Sequence, residues 1–224
     1  MVGRNFFSKV SRRFGKVVKR HAGKPTTYVE IGCWHGGSAA YVAEHVLSTH
    51  VDSVGYGIDP YGHDRKHDPD KIEEIRLEAH AVVAATGFQN WNWIRKPSIE
   101  ALSNWVPLTG GQEIDCLYID GRHEAFCVVL DFALAWPWLK PGATVIFDDY
   151  GIGTRKHFPH VPEAVDAIEH TFGNLLTPLT EYAHKDRQAY YEVRAKDVDS
   201  AWWSGDSVIS DERWWMQMRK RMES

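Results

Sequence analysis

The sequence predicts an α/β protein: a doubly wound, mostly parallel sheet of seven strands, with an antiparallel hairpin at its C-terminal end. Three observations carry that expectation. Short apolar runs alternate with longer amphipathic segments, the pattern of strands joined by crossover helices. Glycine, proline and small polar residues punctuate the boundaries between them. The last two β-type runs follow one another with no helix between, so they pair as a hairpin on the edge of the sheet.

The elements follow in order. Phe6, Val10, Phe14, Val17 and Val18 recur at helical spacing among basic residues, an amphipathic helix docked on the domain. A membrane-surface or anion-binding helix is the alternative reading. Thr27–Gly32 is the first strand, and Gly36-Gly37-Ser38 opens a helix running to about Ser48. Val54–Asp59 is the second strand, followed by a charged helix over Pro69–Thr86 that Gly87 ends. Trp91–Ile94 is the third strand, with a short helix over Ser98–Trp105. Ile114–Asp120 is the fourth, with a helix over His123–Leu139 ended by Lys140-Pro141-Gly142. Thr144–Phe147 is the fifth strand and Val161–Phe172 the last long helix of the core. Thr177–Ala183 and Ala189–Arg194 form the hairpin around His184-Lys185-Asp186.

The 224 residues suit one domain. Residues 1–23 form a basic amphipathic helix, 24–196 the core, and 197–224 a tryptophan-rich extension with Trp202, Trp203, Trp214 and Trp215. In that extension Trp214, Met218 and Met222, after a cap at Ser210, outline a final helix, and so many aromatics suit packing or a homodimer contact. A formal net charge of −4 gives no basic field for nucleic acid, although Arg4, Lys9, Arg12, Arg13, Lys16, Lys19 and Arg20 cluster at the start. No stretch has the length and apolarity of a membrane span or the pattern of a signal peptide. Cys33, Cys116 and Cys127 lack metal-ligand spacing and read as reduced thiols, which points to the cytoplasm. The histidine pairs His63/His67 and His157/His160 lack partners that would complete a zinc site.

In an open parallel sheet the ligand lies beyond the carboxyl ends of the strands, so the strand ends carry the chemistry. The first ends Glu30-Ile31-Gly32-Cys33-Trp34-His35-Gly36-Gly37-Ser38. Gly32 and Gly36 let backbone approach a ligand, and the helix that follows offers free N–H groups to a carboxylate. This spacing is neither the dinucleotide fingerprint nor a P-loop, which argues against an NAD-dependent oxidoreductase. Glu30 would repel a pyrophosphate but suits a cationic ligand such as a sulfonium with an amino group. The second strand ends on Asp59, placed to accept the hydroxyls of a ribose or, equally, to cap a turn before Pro60. The fourth ends on Asp120 and the fifth on Asp148-Asp149. Neighbouring strands stand ~4.8 Å apart, so these three carboxylates can converge on one Mg²⁺ or Mn²⁺. Loop capping by Asp148 and Asp149 is the alternative.

These motifs resemble the class I S-adenosylmethionine-dependent methyltransferases, with their Rossmann-like sheet. More narrowly, they resemble the macrocin and aminocoumarin-sugar O-methyltransferase group, with its cephalosporin-hydroxylase-like relatives. The resemblance runs from about Tyr28 to Arg194. It rests on Glu30-x-Gly32-x-x-x-Gly36-x-Ser38, Ile119-Asp120-Gly121-x-His123 with Asp131 eight residues on, Leu139-Lys140-Pro141-Gly142, Phe147-Asp148-Asp149-Tyr150 and Val161-Pro162-Glu163-Ala164-Val165. It implies that Glu30, Gly32, Gly36 and Ser38 hold the methionine part of S-adenosylmethionine, Asp59 the ribose and Ser98 the adenine. It further implies that Asp120, Asp148 and Asp149 ligate a divalent metal. His123 stands where catechol-type members place a basic lysine, so it is either the general base or an orienter of Asp120 or Asp149. The expected activity is metal-assisted methylation of a hydroxyl on a small molecule such as a sugar, polyketide or catechol-like diol. A metal-independent methyltransferase and a non-catalytic, cofactor-binding interaction module are the rivals. Arg122 stands where the group is often acidic and Ala125 where it often has tyrosine, so Arg122 points toward an anionic acceptor. Loop His63–Asp68 is expected to help cover the pocket, and Trp34, Tyr61 and Tyr150 nearby suit an acceptor with some apolar surface.

Overall fold

The computed structural model describes residues 11–62, 68–151, 160–179 and 188–194. The chain divides into a unit Met1–Arg194 and a unit Ala195–Ser224. The tryptophan-rich extension, the hairpin turn at His184-Lys185-Asp186, His63–His67 and His157 all lie outside the described residues.

Seven strands form one sheet: β1 (Thr27–Ile31), β2 (Val54–Ile58), β3 (Trp91–Ile94), β4 (Ile114–Ile119), β5 (Leu139–Phe147), β6 (Leu176–Pro178) and β7 (Ala189–Val193). Their order is β3-β2-β1-β4-β5-β7-β6. β1 to β5 pair in parallel, while β7 runs antiparallel to both of its neighbours. The chain reverses its direction of winding between β1 and β4, so the switch point lies at their carboxyl ends.

Period-two alternation assigns each strand residue to a face. Tyr28, Cys116, Tyr118, Ile146 and Tyr190 pack with Phe14, Val17 and Val18 of α1 (Ser11–Val18) and Val42 of α2 (Gly37–His45). Val29, Ile31, Leu117, Ile119, Val145, Phe147 and Tyr191 face the other way. That face is covered by α4 (Ser98–Ser103), α5 (Trp105–Thr109), α6 (Ala125–Ala135) and α7 (His160–Phe172). α3 (Pro69–Ala84) starts at an Asp68 cap that accepts from the Lys71 amide, and packs on α2. The apolar stripe of α1 is consumed by this packing, leaving Arg12, Lys16, Lys19 and Arg20 outward. Gly15 makes the seat: a Cβ there would lie 2.3 Å from the Tyr41 hydroxyl oxygen.

Three elements depart from the sequence pattern. The helix expected to reach Leu139 ends at Ala135 and passes into a 3-10 turn over Trp136–Trp138, because Pro137 has no N–H with which to continue the α-helical ladder. The strand expected from Thr144 begins at Leu139, with Lys140–Ala143 absorbed as an irregularity opposite Ile114 and Cys116. There Lys140 Nζ sits 3.0 Å from both Asp115 oxygens, one of which accepts from the Thr27 amide. The single helix expected over Ser98–Trp105 is broken at Asn104.

At the amino-terminal end of the sheet His21 is 4% exposed, with Nε2 2.8 Å from Thr144 Oγ1. Burial, then the nearby Lys24 charge, pushes it down to about 4 from its ordinary 6.5. The unfolded chain therefore binds an extra proton between these values. This contribution is whole above pH 6.5 and is lost as pH falls toward 4, a change of about 3 kcal/mol. Urea unfolding at pH 7.5 and 4.5 should show a drop in midpoint that His21→Gln reduces. An equal drop in both proteins would assign the acid sensitivity elsewhere.

Candidate functional site

The site is built where β1 and β4 end. Gly32 adopts φ +85°, and a Cβ on it would lie 2.1 Å from the Asp120 carbonyl oxygen. Only glycine permits both the backbone angle and the approach. The Asp120 amide donates to the Ile31 carbonyl at 2.8 Å, and the Gly32 amide to the Ile58 carbonyl at 2.9 Å, so three strand ends are tied together. Gly36, at φ +75°, precedes α2 and presents its first turn. Trp34, Tyr61 and Asp149 are the non-glycine residues with positive φ among those described. They follow β1, β2 and β5, so the departures from ordinary backbone gather at one edge of the sheet.

Glu30 is fully buried. Ser38 Oγ donates to Oε1 at 2.5 Å and Tyr28 Oη donates to Oε2 at 2.7 Å. Burial pushes the carboxyl up to about 8, and the two donors only partly oppose it. Glu30 therefore keeps its proton to higher pH than an ordinary carboxyl, and its bond to Ser38 fixes the first turn of α2. Asp59 is engaged by backbone: Oδ2 accepts from Cys33 and Trp34 at 3.0 Å each, and Oδ1 from Tyr61 at 2.8 Å. The loop after β1 is thus moulded around the carboxylate at the end of β2. Ser98 opens α4 and hydrogen-bonds Asp131, a buried carboxyl pushed up to about 6 by desolvation.

Across the switch point, Asp120, His123 and Asp149 each offer a ligand atom, all within 4.8 Å of one another. His123 Nε2 lies 3.0 Å from Asp149 Oδ2 and 4.0 Å from Asp120 Oδ1. Asp148 joins from the side through a hydrogen bond with Asp120. Desolvation, then the like charges of Asp148, Asp149 and Glu30, raises Asp120 well above the usual carboxylate range. A proton shared between carboxyls relieves that crowding, and a divalent cation would relieve it further. The oxygen-rich set with one imidazole nitrogen fits such an ion. The structure thus brings two of the three expected aspartates, Asp120 and Asp149, together with His123, while Asp148 stands outside that converging set.

Other expectations resolve differently. Tyr61 is buried, its hydroxyl donating to the Trp34 carbonyl, so it props the loop, whereas Trp34 is 39% exposed beside it. Arg122 is 75% exposed and pairs with Glu124 at 2.7 Å, so its charge is turned to solvent and spoken for. Tyr28, Tyr118 and Gln188 were not singled out by pattern. Their parity on the strands was the available signal, because each shares a face with Glu30 or Asp120.

The family described as Methyltransferase domain matches residues 29–150, more than half of the chain. Uncharacterized protein R132 of Acanthamoeba polyphaga mimivirus is 28% identical over 142 residues, or 63% of this chain, and the match spans 58% of that relative's length. The O-methyltransferase TomG of Streptomyces achromogenes, involved in tomaymycin synthesis and solved with S-adenosylmethionine, is similar in structure. Its TM-score is 0.59 at 16% identity, covering 86% of this chain and 82% of TomG. An O-methyltransferase of Bacillus cereus, solved with S-adenosylhomocysteine, gives 0.60 at 13% identity, covering 84% and 81%. The O-methyltransferase NovP gives 0.57 at 18% identity, covering 83% and 78%. These likenesses show a shared fold.

The state of Glu30 is testable. Because its folded value lies above the unfolded one, its favourable contribution is present below about pH 4.5 and is lost as pH rises through 8. Glu30→Gln loses the bond from Tyr28 but cannot ionise. The stability of Glu30→Gln relative to the wild type should therefore improve steadily from pH 5 to pH 9 in denaturant titrations. A constant difference would mean that Glu30 is ionised throughout.

Proposed function

The chain belongs to the methyltransferase domain family, and from that premise we propose that it moves a methyl group from S-adenosylmethionine to a hydroxyl of a small molecule, with a divalent cation held beside the acceptor. The observation that carries this reading is the convergence of Asp120, His123 and Asp149 next to the Gly32 loop at the switch point.

S-adenosylmethionine, when bound, supplies the electrophilic methyl on its sulfonium. Gly32 and Gly36 keep side chains out of its path, and the backbone N–H groups of Ser38 and the rest of the first turn of α2 receive its carboxylate, the Ser38 hydroxyl being spent on Glu30. Beside a bound cation Glu30 would release its proton to solvent and serve as the counter-charge. Asp59 already spends three of its roughly four lone-pair sites on backbone donors, so it has capacity for one ribose hydroxyl. Ser98, steadied by Asp131, borders the adenine end.

Asp120, Asp149 and Asp148 would hold Mg²⁺ or Mn²⁺, which lowers the pKa of an acceptor hydroxyl when bound. His123 takes the hydroxyl proton, and Asp149 stabilises the imidazolium that forms. The same histidine–carboxylate pair supports a second reading, a metal-independent transfer in which Asp120, Asp149 and His123 act alone. With the Arg122 side chain paired to Glu124 and turned to solvent, a neutral hydroxylated acceptor is favoured over an anionic one.

The test begins with calorimetric titration of S-adenosylmethionine, with NAD⁺ as control, followed by transfer assays on hydroxylated compounds. The expectation is binding of the former alone and turnover that EDTA abolishes. His123→Gln should lower kcat by about 10²–10⁴-fold, and Asp149→Asn should behave similarly. Turnover indifferent to EDTA would select the metal-independent reading. Binding without turnover on any acceptor would favour a cofactor-binding module.

A further inference from the structure

Behind Asp120 runs a chain of buried hydrogen bonds that the transfer reaction described above does not use. Tyr190 Oη donates to Gln188 Oε1 at 2.6 Å. Gln188 Nε2 donates to Tyr118 Oη at 3.2 Å, and Tyr118 Oη donates to Asp120 Oδ2 at 3.2 Å. The three relay side chains are only 1–2% exposed. The Phe14 ring, 5.0 Å away, braces the Tyr118 ring.

We propose that Gln188 is a positioning residue that, through Tyr118, aims the Asp120 carboxylate into the site. The inference rests on reading Asp120 as a ligand of that site. Every donor in the chain points the same way. Gln188 spends its carbonyl on Tyr190, which turns its amide nitrogen toward Tyr118. Tyr118 then accepts from Gln188, so its one proton goes to Asp120. Series alignment strengthens each bond in a low-dielectric interior. With Oδ2 held from behind, Oδ1 is the oxygen directed at His123, 4.0 Å away.

Topology explains why the last strand does this. β7 is antiparallel to β5, with Phe147 opposite Ala189, so the residue preceding β7 stands at the carboxyl edge of the sheet. Parity places Gln188 on the same face as Tyr190, Tyr118 and Asp120. A parallel strand would present its first residue at the opposite end.

The experiment uses the full chain with Gln188→Met and Tyr118→Phe, both nearly volume-conserving. Mn²⁺ affinity is read by electron paramagnetic resonance and S-adenosylmethionine affinity by calorimetry. Loss of an outer partner should weaken Mn²⁺ binding by about 10-fold or more, with S-adenosylmethionine affinity held within about twofold in both variants. Unchanged Mn²⁺ affinity in both folded variants would overturn the proposal. If the wild type binds no Mn²⁺, the metal reading fails, and the relay is judged by a metal-free double-mutant cycle. In that cycle Gln188→Met and Asp120→Asn, joined through Tyr118, should change the unfolding equilibrium non-additively by more than about twofold. Additivity would overturn the relay.

Discussion

The approach of β1 to β4 at their carboxyl ends constrains everything built above them. Gly32 and Asp120 meet backbone to backbone, in a space where a Cβ would collide with a carbonyl oxygen. Hydrogen bonds from Asp120 to Ile31 and from Gly32 to Ile58 fasten three strand ends into one platform. The loop after β1 leaves this platform on one side and the Asp120–His123 turn on the other. A side chain at position 32 would separate the two halves of the site.

On that platform the protein gathers more carboxyls than its charge balance would suggest. The like charges of Asp148, Asp149 and Glu30 raise Asp120, that of Asp148 adds to the burial that raises Glu30, and the structure answers the crowding locally. Glu30 is capped by two hydroxyls, Asp149 by His123, and Asp120 by Tyr118 and a bond with Asp148. Such crowding is costly unless protons or a cation relieve it. Asp59 shows the opposite economy, since its charge is absorbed in three backbone N–H groups that shape the loop after β1. The same edge also carries the non-glycine residues with positive φ among those described, so electrostatic and conformational strain share one location. The opposite end of the sheet holds ordinary structural pairs, such as Lys140 with Asp115 and His21 with Thr144.

Strand parity links the fold to this arrangement. The face that packs on α1 and α2 is also the face from which Glu30, Asp120 and their supports project. The N-terminal helix therefore does more than cover apolar surface: Phe14 sits against Tyr118, one bond from Asp120. The covering helices of the other face meet the site through Asp131 and Ser98. Each half of the core thus contributes one support to the site above it.

The order and type of the elements were legible in the sequence because hydrophobic period and turn residues are local signals. So were the strand-end residues, since the end of an apolar run marks the edge of a parallel sheet. The places where pattern misled were local conflicts. Pro137 stopped a helix whose apolar spacing continued, and the Lys140–Ala143 irregularity lengthened a strand beyond its alternating run. The chemistry of the site residues was a different matter. That Asp59 faces backbone amides, that Arg122 turns out to Glu124, and that Gln188 reaches toward Asp120 through Tyr118 all depend on partners distant in the chain. A carboxylate or an amide has no fixed role until its donors are assembled, and only the packed sheet brings them within hydrogen-bond reach.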